Sequence, residues 1–214
     1  NVNADTPITL PTQPTRSGYT FKGWNTVQAG TGTAVTAGGN KVRDIWTSLP
    51  TNGGTLTAYA QWEENKVIIR FYGDTHSSVK WNDNKTLANG AAVEVGAATG
   101  TIYSVAGSTS FPTNISTGIA PVPNANYEFN ASHGSKWSLG SATGTALSSG
   151  VSNAGVLTVP KTSGLYVNGD YYLTVSPAWI AYTVEYYTQN LTGSGYTKVS
   201  SPAGSGTAPF GNTL

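Results

Sequence analysis

The sequence has no cysteine and no methionine among its 214 residues, and only 10% of the residues are charged. Without cysteine, the chain has no thiolate nucleophile, no disulfide and no cysteine-ligated zinc. Its two histidines, His76 and His133, are isolated and too few for a histidine-rich metal centre. We therefore expect no metal site and no cofactor.

The charges nearly cancel, with 11 Lys and Arg against 10 Asp and Glu. An average soluble protein has about 25% charged residues, so this surface must be weakly charged and rich in hydroxyl groups. A net charge of +1 provides no basic field for a phosphate backbone. We expect no nucleic-acid partner.

Because methionine is missing even at position 1, we expect the chain to be a mature product or a piece of a longer protein. No stretch reaches the roughly 20 apolar residues of a membrane span. The first residues also lack the basic and apolar regions of a signal peptide. Any export or anchoring signal is therefore expected outside these residues.

Aromatic and β-branched runs at residues 67–72, 171–175 and 182–187 are typical of strands. Segments rich in Gly, Asn and Ser, such as 193–195, separate them and favour turns. One segment, residues 41–49, has its apolar side chains at helical spacing and predicts a short helix. The sequence predicts an all-β fold with at most one or two short helices.

An internal repeat gives the chain its expected organisation. Aromatic strands end in Trp62 and Trp179, and a new strand opens a few residues after each. This pattern predicts a module over 1–62 that lacks its first strand, an enlarged β module over 66–179, and the first part of a third over 181–214. The linkers are too short to be flexible, so neighbouring modules should be held end to end.

Residues 8–24 read Ile-Thr-Leu-Pro-Thr-Gln-Pro-Thr-Arg-Ser-Gly-Tyr-Thr-Phe-Lys-Gly-Trp, and residues 56–62 read Leu-Thr-Ala-Tyr-Ala-Gln-Trp. In this order the elements resemble the internalin-type B repeat, or Listeria–Bacteroides repeat, over most of residues 5–62. The segment 28–52 departs from a short repeat, and the second module matches weakly. Residues 181–202 look like the start of a mucin-binding-protein-like module.

This resemblance implies small β-grasp-like units in a modular bacterial surface protein, with stalk, adhesin or host-contact roles. It implies no enzymatic activity. The expected location is extracellular, at the cell surface or cell wall. Expected partners are the neighbouring modules and a host glycan or surface protein.

The sequence contains 6 Trp, 12 Tyr and 5 Phe, enough aromatic side chains for a sugar-stacking surface. Those that recur in the units are expected to pack in the core and between modules: Trp24, Trp62 and Trp179. Those in or beside the non-repeating additions are the candidate ligand-binding residues, provided that they are exposed: Trp81, Trp137, Tyr171 and Tyr172.

Other polar clusters have ordinary explanations. Residues 74–78, Asp-Thr-His-Ser-Ser, contain the side-chain types of a catalytic triad, but neighbours in sequence do not reach that geometry, so a polar loop is expected. Residues 82–84, Asn-Asp-Asn, offer few ligands for calcium, and an Asx turn explains them equally well. A buried lysine among Lys66, Lys80 and Lys136 would be needed for a self-formed crosslink, with Glu94, Glu128 or Asp170 assisting.

We therefore expect a non-enzymatic structural or adhesive segment of a large bacterial surface protein. Two alternatives stay open. One is a glycan- or protein-binding module with its site in the second module. The other is a self-assembling filament subunit, in which the tail of one chain completes the first module of the next by strand exchange, head to tail.

Overall fold

The computed structural model describes residues 3–38, 40–46, 48–51, 54–191, 193–199 and 204–212. These residues form mainly β-strands in small sheets, with one short α-helix and two single-turn 3-10 helices, so the prediction of an all-β fold is confirmed. The strands in chain order are β1 (Tyr19–Asn25), β2 (Ala34–Val35), β3 (Tyr59–Glu64), β4 (Lys66–Tyr72), β5 (Ser77–Trp81), β6 (Val93–Gly96), β7 (Ile102–Val105), β8 (Ile119–Pro123), β9 (Tyr127–Glu128), β10 (Lys136–Leu139), β11 (Gly169–Thr174), β12 (Ser176–Pro177), β13 (Trp179–Val184), β14 (Tyr187–Gln189), β15 (Tyr196–Lys198) and β16 (Gly204–Pro209).

The first sheet is three-stranded and antiparallel, in the order β2-β1-β3. Its ladder shifts register between Phe21 and Gly23, and Gly23 has φ +124°, a conformation that L side chains rarely adopt. Phe21 packs edge-on against Trp24 and Trp62, with ring centroids 5.6 and 5.4 Å away. The repeat motif thus supplies the aromatic cluster of this sheet.

The helix predicted over residues 41–49 is a single turn, α1 (Val42–Ile45). Trp46 has extended backbone and ends it, and Thr47 lies outside the described residues. Ile45 is buried, whereas Leu49 is not carried on the helix and stays exposed.

The central sheet has five strands in the order β10-β11-β4-β6-β7. Strand β11 runs parallel to β4, and the other pairs are antiparallel. The strand predicted over 67–72 is β4, and that over 171–175 is β11. Because side chains alternate along each strand, one face of this sheet covers the core and the other faces outward.

The core lies between the inner face of the central sheet and the antiparallel pair β5–β8, with segments between β10 and β11 completing it. Phe71 of β4 meets Trp81 of β5 edge-on, with ring centroids 6.4 Å apart. The largest fully buried side chains are Trp81, Trp137, Phe71, Ile69, Ile115, Ile119, Leu157 and Leu173.

Beyond β12 the chain forms two-stranded ribbons, β13–β16 and β14–β15. The strand predicted over 182–187 is interrupted, since β13 ends at Val184 and β14 begins at Tyr187. Residues 193–195 lie between β14 and β15, in the region predicted as a turn. Trp179 begins β13 and pairs with Pro209. The division into three modules remains a prediction.

Candidate functional site

An open cavity lies on the outer face of the central sheet. Its volume is about 480 Å³, and it is lined by Ile68, Arg70, Asn168, Gly169 and Asp170. The parallel register of β4 and β11 places Arg70 opposite Asp170, a hundred residues later in the chain. Fold topology, not sequence proximity, therefore assembles this candidate site.

The charged pair in the cavity is loose. Arg70 Nη1 lies 3.5 Å from Asp170 Oδ1, at the limit of a hydrogen bond, and each side chain is 40% exposed. No other side-chain hydrogen bond of either residue occurs within the part of the chain that the structure describes. A guanidinium has five N–H donors and a carboxylate has about four acceptor sites. Most of this hydrogen-bonding capacity is therefore not used by side-chain contacts among the described residues.

The third polar side chain is fixed in place. Asn168 Oδ1 accepts a 2.7 Å hydrogen bond from the backbone N–H of Ile68. This bond orients the side-chain amide and leaves its NH₂ group as a positioned donor beside the cavity. The cavity therefore combines donors, a charged acceptor and the apolar Ile68.

Two tyrosines continue the same face. Tyr72 and Tyr172 are paired in the β4–β11 register, and their rings stack with centroids 4.7 Å apart and planes 10° apart. They follow Arg70 and Asp170 by two positions on their strands, so they lie on the same face of the sheet. Tyr72 also lies against Gly90, where a Cβ would be 2.6 Å from the ring. These contacts fix the aromatic pair beside the cavity.

Three of the four side chains predicted to bind ligand do not meet the condition of exposure. The exposed fractions of Trp81, Trp137 and Tyr171 are 0%, 1% and 3%, and all three belong to the core. They are buried because the segments outside the repeat motif fold onto the inner face of the central sheet, with Leu157 fully buried in the same core. Only Tyr172 lies on the outer face, and its binding role stays a prediction.

The recurring tryptophans have different environments. Trp24 and Trp62 pack on Phe21 within the first sheet, as expected. Trp179 is 43% exposed and stacks on His133, with ring centroids 4.3 Å apart. His133 Nδ1 lies 3.0 Å from Glu128 Oε1. Trp179 therefore connects β13 to the segment around His133 by contact and does not enter the core.

The expected polar loop between β4 and β5 covers residues 73–76, whereas Ser77 and Ser78 already belong to β5. Asp74 Oδ1 accepts from the hydroxyl of Ser77 at 2.7 Å and from the backbone N–H of His76, while Oδ2 accepts from the N–H of Val175. The His76 ring stacks on Tyr127. Asp74 bonds directly to the serine, so the three side chains do not form an Asp–His–Ser relay.

None of the three lysines considered for a crosslink is fully buried: Lys66 is exposed, and Lys80 and Lys136 are partly buried. Lys66 pairs with Glu94 at 2.5 Å and is 47% exposed. Lys80 donates to Asn84, and Lys136 donates to the carbonyl of Gly144. The burial that would activate a lysine amine is therefore not found at these three positions.

The segment 82–84 is also engaged locally. Asp83 pairs with Lys85, and Asn84 has φ +68°, so the segment forms a turn, the simpler of the two explanations considered. The hydrogen bond from Lys85 lowers the pKa of Asp83.

A second polar cluster joins the first sheet to the central one. The carboxylate of Glu64, at the end of β3, accepts from the backbone N–H groups of Ala98 and Thr99 at 3.0 and 2.7 Å. It also accepts from the hydroxyls of Thr99 at 3.0 Å and Tyr103 at 2.8 Å. We call Glu64 and these three partners the Glu64 joint.

The charged form of Glu64 is favoured in this cluster. Partial burial raises its pKa, but the hydrogen bonds from Thr99, Tyr103 and Ala98 outweigh that effect and hold the pKa below its ordinary value of 4.5. The same contact raises the pKa of Tyr103, because its hydroxyl proton is held by the carboxylate.

Backbone contacts on either side reinforce the joint. The N–H of Asn65 donates to Gly18 at 2.9 Å, and its carbonyl accepts from Ala97 at 2.8 Å. Gly18 has φ +78°, and a Cβ there would lie 2.9 Å from both Ala98 and Leu165. Only glycine fits this conformation and this close approach without strain.

Sequence reasoning missed both clusters. Asp170 was considered only as an acid for a crosslink, and Arg70, Asn168 and Glu64 carried no motif. Their partners are far away in the chain, and no local spacing reveals the parallel pairing of β4 with β11.

The chain was compared with known families and proteins. The family model of the Listeria-Bacteroides repeat domain matches residues 1–46, which include β1, β2 and α1. The match supports the resemblance drawn from residues 8–24 and indicates a bacterial repeat region associated with the surface or exterior of the cell. No curated protein and no solved structure matches the chain. The resemblance of residues 181–202 to a mucin-binding-protein-like module stays a prediction. Among the described helices, none has the length and hydropathy to cross a membrane.

Proposed function

We propose that this chain is a non-enzymatic stalk segment of a bacterial surface protein, in which successive β units are held in a fixed orientation. The Glu64 joint is the observation that carries the proposal. Four hydrogen bonds converge on one carboxylate between β3 and the β6–β7 region, two residues before β4 begins.

The linker between the first sheet and the central sheet has little freedom to move. A flexible connection would let neighbouring units reorient, and a stalk built on it would not transmit position. Here Asn65 alone separates β3 from β4, and its backbone is bonded on both sides, to Gly18 and Ala97. The composition suits exposure outside the cell, since cysteine and methionine, the side chains most readily oxidised, do not occur.

The proposal is tested by light scattering with size-exclusion chromatography, sedimentation velocity and labelling of intact cells. A stalk segment is expected to be a monomer with a frictional ratio above that of a compact sphere. Antibodies raised against the chain should bind unpermeabilised cells of the bacterium that encodes it. A compact particle, or labelling only after permeabilisation, would contradict the proposal.

A self-assembling filament subunit is the second candidate, and the end ribbons favour it. Large apolar side chains are concentrated there with substantial exposure: Trp179, Ile180, Tyr186, Tyr187, Leu191, Tyr196 and Phe210. Apolar side chains in this number favour contact with another surface. Polymers that grow with protein concentration in the same light-scattering experiment would select this function over the monomeric stalk.

A further inference from the structure

The Arg70–Asp170 pair beside the outer-face cavity is longer than a close, bidentate ion pair. A closed ion pair satisfies its charges in a short, often bidentate contact. Arg70 and Asp170 instead meet through one bond of 3.5 Å beside an open cavity of about 480 Å³. The two groups are close enough to act on one ligand and are not saturated by each other.

The surrounding groups restrict the chemistry of that ligand. A carboxylate beside a guanidinium disfavours a free anion, and the guanidinium disfavours a free cation. Both groups bind well to a molecule whose neighbouring hydroxyls donate to Asp170 and accept from Arg70. The positioned NH₂ of Asn168 adds another donor. This pattern is complementary to a neutral polyhydroxylated molecule.

The apolar contacts fit the same class of ligand. Ile68 lines the cavity, and the stacked rings of Tyr72 and Tyr172 stand two positions along the same strands. Sugars present C–H faces that pack on aromatic and aliphatic side chains while their hydroxyls hydrogen-bond at the edge. The site offers both kinds of contact side by side.

We propose that Arg70, Asn168 and Asp170 form a binding site for a neutral mono- or disaccharide on the outer face of the central sheet, with Ile68 and the tyrosine pair as its apolar border. This binding function goes beyond the proposed stalk role. It would allow the chain to bind a saccharide without the buried tryptophans. It requires no movement of the core.

The test is a titration of the full 214-residue chain followed by ¹H–¹⁵N correlation spectra. The probes are methyl glycosides of glucose, galactose, mannose, fucose and the two N-acetylhexosamines, together with maltose, lactose and cellobiose, with methyl sialoside as the charged comparison. At least one neutral probe should shift the amide signals of residues 68–70 and 168–172 in a saturable manner.

The variants are Asp170→Asn and Arg70→Met, with Glu185→Gln as the matched control. Each change in the cavity removes a charged partner of the sugar hydroxyls, so each should weaken binding by about tenfold or more. Glu185 forms a surface pair with Lys198 on the end ribbons, and its change should leave affinity unaltered. Spectra of the free variants show whether they keep the wild-type fold.

Three results would overturn the proposal. They are no saturable shift at the cavity with any neutral probe, binding of the sialoside alone, and equal affinity of the wild type and the Asp170→Asn variant. None of these would affect the stalk proposal, which depends on particle shape and cell-surface labelling.

Discussion

Replacing Glu64 by glutamine should loosen the connection between the first sheet and the central sheet without disturbing either. The amide has nearly the same shape, and its oxygen still accepts from the backbone N–H groups of Ala98 and Thr99. Its NH₂ group no longer accepts from the hydroxyls of Thr99 and Tyr103, and the negative charge is lost.

The loss of free energy caused by Glu64→Gln can be estimated from the hydrogen bonds that the change weakens. Hydrogen bonds to a charged group contribute about 1.5–3 kcal/mol when well protected, roughly twice a neutral bond. The Glu64 joint is only partly buried, so we expect a loss of about 1–2 kcal/mol for the Glu64→Gln change. Such a loss changes a local closed-to-open ratio by about 5- to 30-fold.

Hydrogen exchange measures this opening directly. In Glu64→Gln, protection of the amides of Ala98, Thr99 and Asn65 should fall by about 5- to 30-fold, while amides in β4 and β11 keep theirs. Glu63→Gln is the matched control, because the neighbouring Glu63 is exposed and, among the residues that the structure describes, its ion pair is with Lys22. Equal protection in the two variants would refute the reasoning.

The pH dependence has a definite sign. The folded pKa of Glu64 lies below 4.5, so its contribution is present above that pH and disappears as the pH falls through the folded value. The difference in protection between wild type and Glu64→Gln should therefore vanish below that value. A difference that persists after Glu64 is protonated would contradict the role given to its charge.

Two further pairs of variants test the core and the joint by denaturant unfolding. Trp137 Nε1 donates a 2.7 Å hydrogen bond to the carbonyl of Gly155, whereas Trp81 Nε1 has no partner within the described residues. Trp137→Phe should therefore lower the free energy of unfolding by about 1–2 kcal/mol more than Trp81→Phe does. Equal losses in the two variants would contradict this account of the core. Gly18→Ala should lower the free energy of unfolding more than Gly23→Ala does. Both glycines have positive φ, but only at Gly18 would the added Cβ meet neighbouring atoms, at 2.9 Å. The reverse order would show that backbone strain at Gly23 exceeds the steric clash at Gly18.

Local patterns predicted much of the fold. The β-branched and aromatic run at 67–72 became β4, because such side chains suit a pleated strand with one buried face. The short helix predicted within residues 41–49 is found at Val42–Ile45, and the extended Trp46 ends it. The repeat motif identified the region that the family model matches.

Local sequence patterns did not predict the residues of the candidate site, because tertiary contacts determine which side chains are exposed and which lie together. Trp81 and Trp137 seemed available because they lie in segments outside the repeat, yet those segments fold onto the inner face of the central sheet and bury both rings. Arg70 meets Asp170 only because β4 pairs in parallel with β11, across a hundred residues. Two strands that pair across a hundred residues produce no local sequence pattern from which their pairing could be predicted.

The Glu64 joint was missed for a related reason. The sequence placed a module boundary near residue 64 through the aromatic strand before it. No sequence pattern predicted that the backbone N–H groups of Ala98 and Thr99 would donate to the carboxylate of Glu64. Carboxylates at strand ends are usually solvated, so only the tertiary contacts distinguish Glu64 from the neighbouring Glu63.

The central claim is the fixed orientation of the first sheet on the central sheet, and a distance distribution tests it most directly. The chain has no cysteine, so Ala34→Cys and Ser104→Cys, at exposed positions in β2 and β7, introduce unique sites for two nitroxide labels. Double electron–electron resonance should give one narrow distance distribution at neutral pH, and a broader one when Glu64→Gln is added. A broad or multimodal distribution in the protein with Glu64 intact would contradict the account.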